Sequence, residues 1–107
     1  MKRRIQIASV ASDDLGGLLD YTLTSRGVAA ATALDRRLDE ALATLERFAE
    51  RGRVVPELRL RGITLYRELI RTPYRIVYRI VGAEVWVLAI VDGRRDLDAL
   101  LSARVRR

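Results

Sequence analysis

Five arginines carry the most direct chemistry in this sequence: Arg67, Arg75, Arg79, Arg94 and Arg95. A guanidinium is planar and always charged, and it matches a phosphate or a carboxylate with two parallel hydrogen bonds. Arg75 and Arg79 stand in the run Tyr74–Val81, YRIVYRIV, whose alternation has the period of a strand. They therefore project from one face, about 13 Å apart. Arg67 belongs to the strand-like run before it, and Arg94 and Arg95 follow the run after it. Such a set could grip an RNA backbone, stabilise a phosphoryl-transfer transition state or hold an acidic partner. It could equally pair at home, with Glu68 and Glu84.

Other chemistry is thin. The chain has no histidine and no cysteine. That removes the commonest general base, any Ser-His-Asp arrangement, thiol catalysis, disulfides and zinc–thiolate sites. Tyr66, Tyr74 and Tyr78 could stack on bases or donate protons. Tyr74 and Tyr78 share a face with Ile76 and Ile80, however, which assigns them to packing. Trp86 sits in the most apolar run and reads as core. Asp92, Asp96 and Asp98 could meet a magnesium ion, but Arg94 and Arg95 sit among them and no calcium-loop spacing is present. Turn formation and capping explain them better. No glycine-rich phosphate loop, nucleophile elbow or helical metal motif occurs, so neither metal nor cofactor is expected.

The elements that must position these arginines follow from periodicity. Thr64–Ile70, Tyr74–Val81 and Glu84–Val91 read as three strands of an antiparallel meander, turned at Thr72-Pro73 and at Gly82-Ala83. The third is almost wholly apolar and rich in β-branched residues, and so reads as the most buried strand. Arg3–Val10 is a further strand able to enlarge the sheet. A helix is expected from Ala11 to about Thr24, with Ser12 as N-cap and Asp13 and Asp14 at the positive end of its dipole. Its apolar stripe is Leu15, Leu18, Leu19 and Thr22. Gly27 ends it. A longer helix from about Val28 to Arg51 carries Val28, Ala31, Leu34, Leu38, Leu42, Leu45 and Phe48 on one face. On the opposite face Arg36 and Glu40 are spaced to pair. Gly52 to Pro56 closes the helical region, and Asp96 is placed to cap a final short helix, Leu97 to about Ala103. Arg104 to Arg107 are expected to fray. The fold class is α+β, in the order β-α-α-β-β-β, with an antiparallel sheet packed against an α-helical hairpin, and a short C-terminal helix.

The 107 residues suffice for a single domain, 1–107, that needs no staple. No apolar run approaches the roughly 20 residues that span a bilayer, and the N-terminus leads into a strand, so the expected setting is the cytoplasm, without a membrane. The net charge of +6 is one-sided. Residues 1–57 hold 9 basic and 9 acidic side chains, whereas residues 58–107 hold 11 and 5. The excess lies on the sheet and the C-terminal tail, which points to an anionic partner.

At this point the chain resembles the RelE/ParE superfamily of toxins from type II toxin–antitoxin pairs. The likeness rests on Ala11 with Asp14-Leu15 and Tyr21, the alanine-rich VAAATAL that opens the second helix, and Pro56. Tyr66-Arg67-Glu68-Leu69, Tyr74-Arg75-Ile76-Val77-Tyr78, the run VWVLAIV and Gly93-Arg94-Arg95-Asp96 complete it. It covers essentially the whole chain and implies the same β-α-α-β-β-β fold.

The resemblance implies two functional classes. ParE-like members poison DNA gyrase and are not known to need a nuclease site. RelE-like members cut messenger RNA on the ribosome, using basic residues with a terminal Tyr, His or Glu. Here the only lysine is Lys2, Asp92 stands where relatives often have histidine, and the C-terminus has no tyrosine. Arg67, Arg75 and Arg79 would hold phosphate in a nuclease, but no proton-transfer partner accompanies them. The ParE-like reading is therefore favoured: a gyrase-directed interaction protein rather than an enzyme, with the ribosome-dependent endoribonuclease as the alternative. On either reading the resemblance implies a cognate antitoxin with an acidic segment. Arg67, Arg75, Arg79, Arg94 and Arg95 are then the candidate partner- and target-binding residues.

Overall fold

The computed structural model describes residues 2–105. The strands are β1 (Arg4–Ile7), β2 (Arg53–Val54), β3 (Tyr66–Arg71), β4 (Tyr74–Val81) and β5 (Glu84–Asp92). The α-helices are α1 (Ser9–Arg26), α2 (Val28–Phe48), α3 (Pro56–Arg59) and α4 (Asp98–Arg104), and a 3-10 turn at Ala49–Arg51 ends the hairpin. The strands form one sheet in the order β1-β5-β4-β3-β2. It is antiparallel from β2 to β5, and β1 joins β5 in parallel. The expected meander and the enlarging first strand are both present. Arg106 and Arg107, where fraying is expected, lie outside the described residues. Arg104 belongs to α4, and Val105 packs against the core behind it.

Each face of the sheet carries its own core. On one face Ile76, Tyr78, Val85, Val87 and Ile90 pack against Leu34, Leu38, Leu42 and Leu45 of α2 and Ala11 of α1. That is the stripe expected from the helical period, with Val28 and Phe48 at its ends left exposed. On the other face Val77, Ala89 and Val91 pack against Val55, Leu58, Leu97 and Leu101. Two cores explain why β5 is so apolar: it is an inner strand covered on both sides. They also place α3 and α4 over part of the face from which Arg75 and Arg79 project.

Trp86 is the clearest departure. Read as core, it is 41% exposed, on the sheet face away from the hairpin, where it lines a cleft with Arg104 of α4. The α1 terminus also shifts: Ala8 is the N-cap, without a side-chain bond, and Ser12 lies inside the helix. Asp14 does more than meet a dipole. Leu88 is skipped in the pairing of β4 with β5, where Val77 faces Ala89 and Tyr78 faces Val87. Beside this bulge the Ile90 N–H donates to Asp14 Oδ2 at 3.1 Å. The same carboxylate receives Arg104 at 2.6 and 2.9 Å, tying α1, β5 and α4 together. The Arg36–Glu40 pair does not form among the described ion pairs, and Arg37 instead donates to the Thr72 carbonyl at 2.6 Å.

Candidate functional site

The five arginines do not converge. On β4 the alternation holds: Arg75 and Arg79 face away from the hairpin, on the side of Val77. Arg67 is registered with Tyr78, whose ring lies in the hairpin-side core, so it projects from the opposite face. Its guanidinium donates to the carbonyls of Gly52 at 2.8 Å and Glu50 at 3.4 Å. Arg67 therefore caps the end of the helical hairpin, where carbonyls lack helical partners.

Arg75 is buried in a network of carboxylates. Its Nη1 and Nη2 donate to the two oxygens of Glu57 at 2.6 and 2.7 Å. Its Nε donates to Glu68 Oε1 at 2.7 Å. Glu68, fully buried, receives Arg53 on its other oxygen at 2.6 Å. All three guanidinium nitrogens of Arg75 are thus engaged, and the alternating charges pin α3 and β2 to the sheet. The Arg75 guanidinium, hydrogen-bonded to Glu57, holds that carboxyl below its ordinary range. The same bond raises the pKa of Arg75. Gly93 closes over this arginine; a Cβ there would lie 2.7 Å from Arg75 Cδ. Pairing with Glu68 was legible as a possibility, whereas Glu57 was not, because it stands on a helix of one turn.

Arg79 lies at the other end of β4, its guanidinium 6.0 Å from the centroid of the Tyr66 ring. Arg94 turns back on Asp92, with Nη2 to Oδ2 at 2.6 Å and Nε to Oδ1 at 3.0 Å. That bond lowers the pKa of Asp92. Arg95 is exposed beside it. Of the other acids, Asp96 accepts the N–H of Asp98, at the first residue of α4, at 3.1 Å, and Asp98 pairs with Arg61 at 2.9 and 3.0 Å. Turn formation, capping and charge pairing are therefore what these carboxylates do. Among the described residues no cluster of carboxylates is arranged to hold a metal. Tyr78 donates its hydroxyl to the Ala49 carbonyl, and burial raises its pKa.

Two concave surfaces flank these groups. One, of about 530 Å³, opens where the hairpin meets the β4–β5 end of the sheet. Leu18, Leu34 and Tyr74 line it; Arg26, Arg37 and Arg94 stand around it, with Tyr21 73% exposed at its edge. The second lies on the opposite face, between Tyr66, Arg79, Trp86 and Leu88. No described helix is long and apolar enough to cross a membrane.

Comparison with known proteins agrees with this architecture. The family model of the ParE toxin of type II toxin–antitoxin systems, parDE, matches residues 5–97. Toxin ParE3 of Caulobacter vibrioides is 30% identical over 95 residues, which cover 87% of this chain and 89% of ParE3. The chromosomal ParDE toxin–antitoxin system from P. aeruginosa contains a chain with TM-score 0.69 and 22% identity, covering 85% of this chain and 96% of that one. The RelBE2 toxin–antitoxin complex from Mycobacterium tuberculosis contains one with TM-score 0.62 and 20% identity, covering 86% and 92%. These two likenesses are likenesses of fold.

Proposed function

The chain belongs to the ParE toxin family of type II toxin–antitoxin systems, and on that premise we propose that it inhibits DNA gyrase and is neutralised by a cognate antitoxin in the cytoplasm. The observation that carries the gyrase reading is the engagement of Arg75. A ribosome-dependent nuclease would need Arg67, Arg75 and Arg79 at one phosphate. Arg67 is on the far face, and every nitrogen of the Arg75 guanidinium is bonded to a carboxylate. Neither arrangement favours phosphate transfer. The exposed Arg95 and the rim residue Arg94 are better placed to meet a target protein. An acidic antitoxin segment suits the excess positive charge of residues 58–107. The solved relatives named above are themselves toxin–antitoxin assemblies, which supports the antitoxin half of the reading.

Expression of the chain alone in a bacterial host tests it. Growth should stop with transcripts intact and a DNA-damage response induced, and co-expression of a cognate antitoxin should restore growth. Transcripts cut at codon positions would replace the gyrase reading with the nuclease one.

A further inference from the structure

A row of side chains crosses the sheet on the face away from the hairpin. Tyr66 of β3 is registered with Arg79 of β4, and Arg79 with Trp86 of β5. With Val81, Leu88 and Arg104 they line a cleft of about 230 Å³. Trp86 is 41% exposed and Val81 45%, so large apolar groups stand in water beside each other on two central strands. Bulky apolar groups left in water around a cation are the composition of a protein contact. The cleft is also smaller than the usual pocket for a small molecule, which favours the side chains of a peptide as occupant.

Arg79 is the unusual member. Its Nε is buried without a hydrogen-bond partner, and it joins no ion pair among the described residues. The nearby acids are already engaged. Glu84 accepts from Arg4, Gln6 and the Trp86 indole at 3.5, 3.1 and 3.4 Å. Asp14 is held by Arg104. A cation in an apolar cleft that joins no ion pair among the described residues is poorly compensated, and a carboxylate brought by another chain would relieve it.

We propose that this cleft docks the acidic, amphipathic segment of the antitoxin. One carboxylate of the segment pairs with Arg79, and a bulky apolar side chain near it packs on Trp86, Val81 and Leu88. The inference rests on the antitoxin reading above and adds the place and chemistry of the contact.

Trp86 is the only tryptophan in the chain, so its emission reports on the cleft. The purified toxin is titrated with a synthetic peptide spanning the acidic C-terminal half of the antitoxin that restores growth in the co-expression test, any tryptophan in it replaced by phenylalanine. Emission should shift to the blue and saturate. Arg79→Glu should weaken binding about 100-fold. Arg36→Glu, on the exposed face of α2, should change it no more than about twofold. Val81→Lys, at the exposed rim, should give a comparable loss and serves if Arg79→Glu does not fold. Saturable binding seen by anisotropy that leaves Trp86 emission unchanged, or that survives both cleft variants, overturns the proposal and leaves the antitoxin reading intact. If neither the peptide nor the whole antitoxin binds, both are overturned.

Discussion

Arg75 and Glu57 set the residue scale. Glu57 has its carboxyl pKa lowered chiefly by the Arg75 hydrogen bonds, so the folded state prefers it ionised. A depressed folded-state pKa contributes stability that is fully present above the unfolded value of about 4.3, and that is lost as pH falls through the folded one. Urea unfolding followed from pH 6 downward should therefore show a decline below about pH 4.3 that is shallower in Glu57→Gln. Equal slopes would mean that the pair contributes nothing to folding. At this scale the sequence announces which residues are reactive but not whom they meet. Arg75 and Arg79 occupy equivalent positions of one strand, yet one is enclosed by carboxylates and the other joins no ion pair among the described residues. The difference comes from α3, which brings Glu57 to Arg75 at one end of β4, whereas Arg79 at the other end meets the Tyr66 ring.

Among the elements, the long ones were legible because their periods repeat. The α2 stripe of Leu34, Leu38, Leu42 and Leu45 and the alternation of β4 each recur enough to identify a face. Strand β2, of 2 residues, and helix α3, of 4, are too short for any period, and only Pro56 at the first turn of α3 hints at a helix start. Trp86 was misassigned for a related reason. An apolar run shows that a strand is central but not how far the covering helix extends along it. The joint between α2 and β2 has a strict steric requirement. At Gly52 an added Cβ would fall on the Tyr78 hydroxyl and lie 2.9 Å from the Glu68 carbonyl oxygen. Gly52→Ala should cost about 2 kcal/mol in urea unfolding, through overpacking. Gly16→Ala, in α1, where nothing lies within 4 Å, should instead stabilise by about 0.7 kcal/mol. A neutral Gly52→Ala would show that the joint can relax.

For the whole molecule, charge and topology act together. Two cores cover parts of both faces of one sheet, and the arginines among residues 58–107 do not converge on one point. The arginines of β4 are thereby divided, one holding the fold and one facing a cleft. The central claim is that this toxin acts on gyrase by binding. Its most direct test is a supercoiling reaction with purified gyrase, relaxed plasmid and increasing amounts of the purified chain. The account predicts loss of supercoiling with accumulation of cleaved gyrase–DNA complexes, reversed when the antitoxin is added. Full supercoiling activity at a large molar excess of the chain would contradict it.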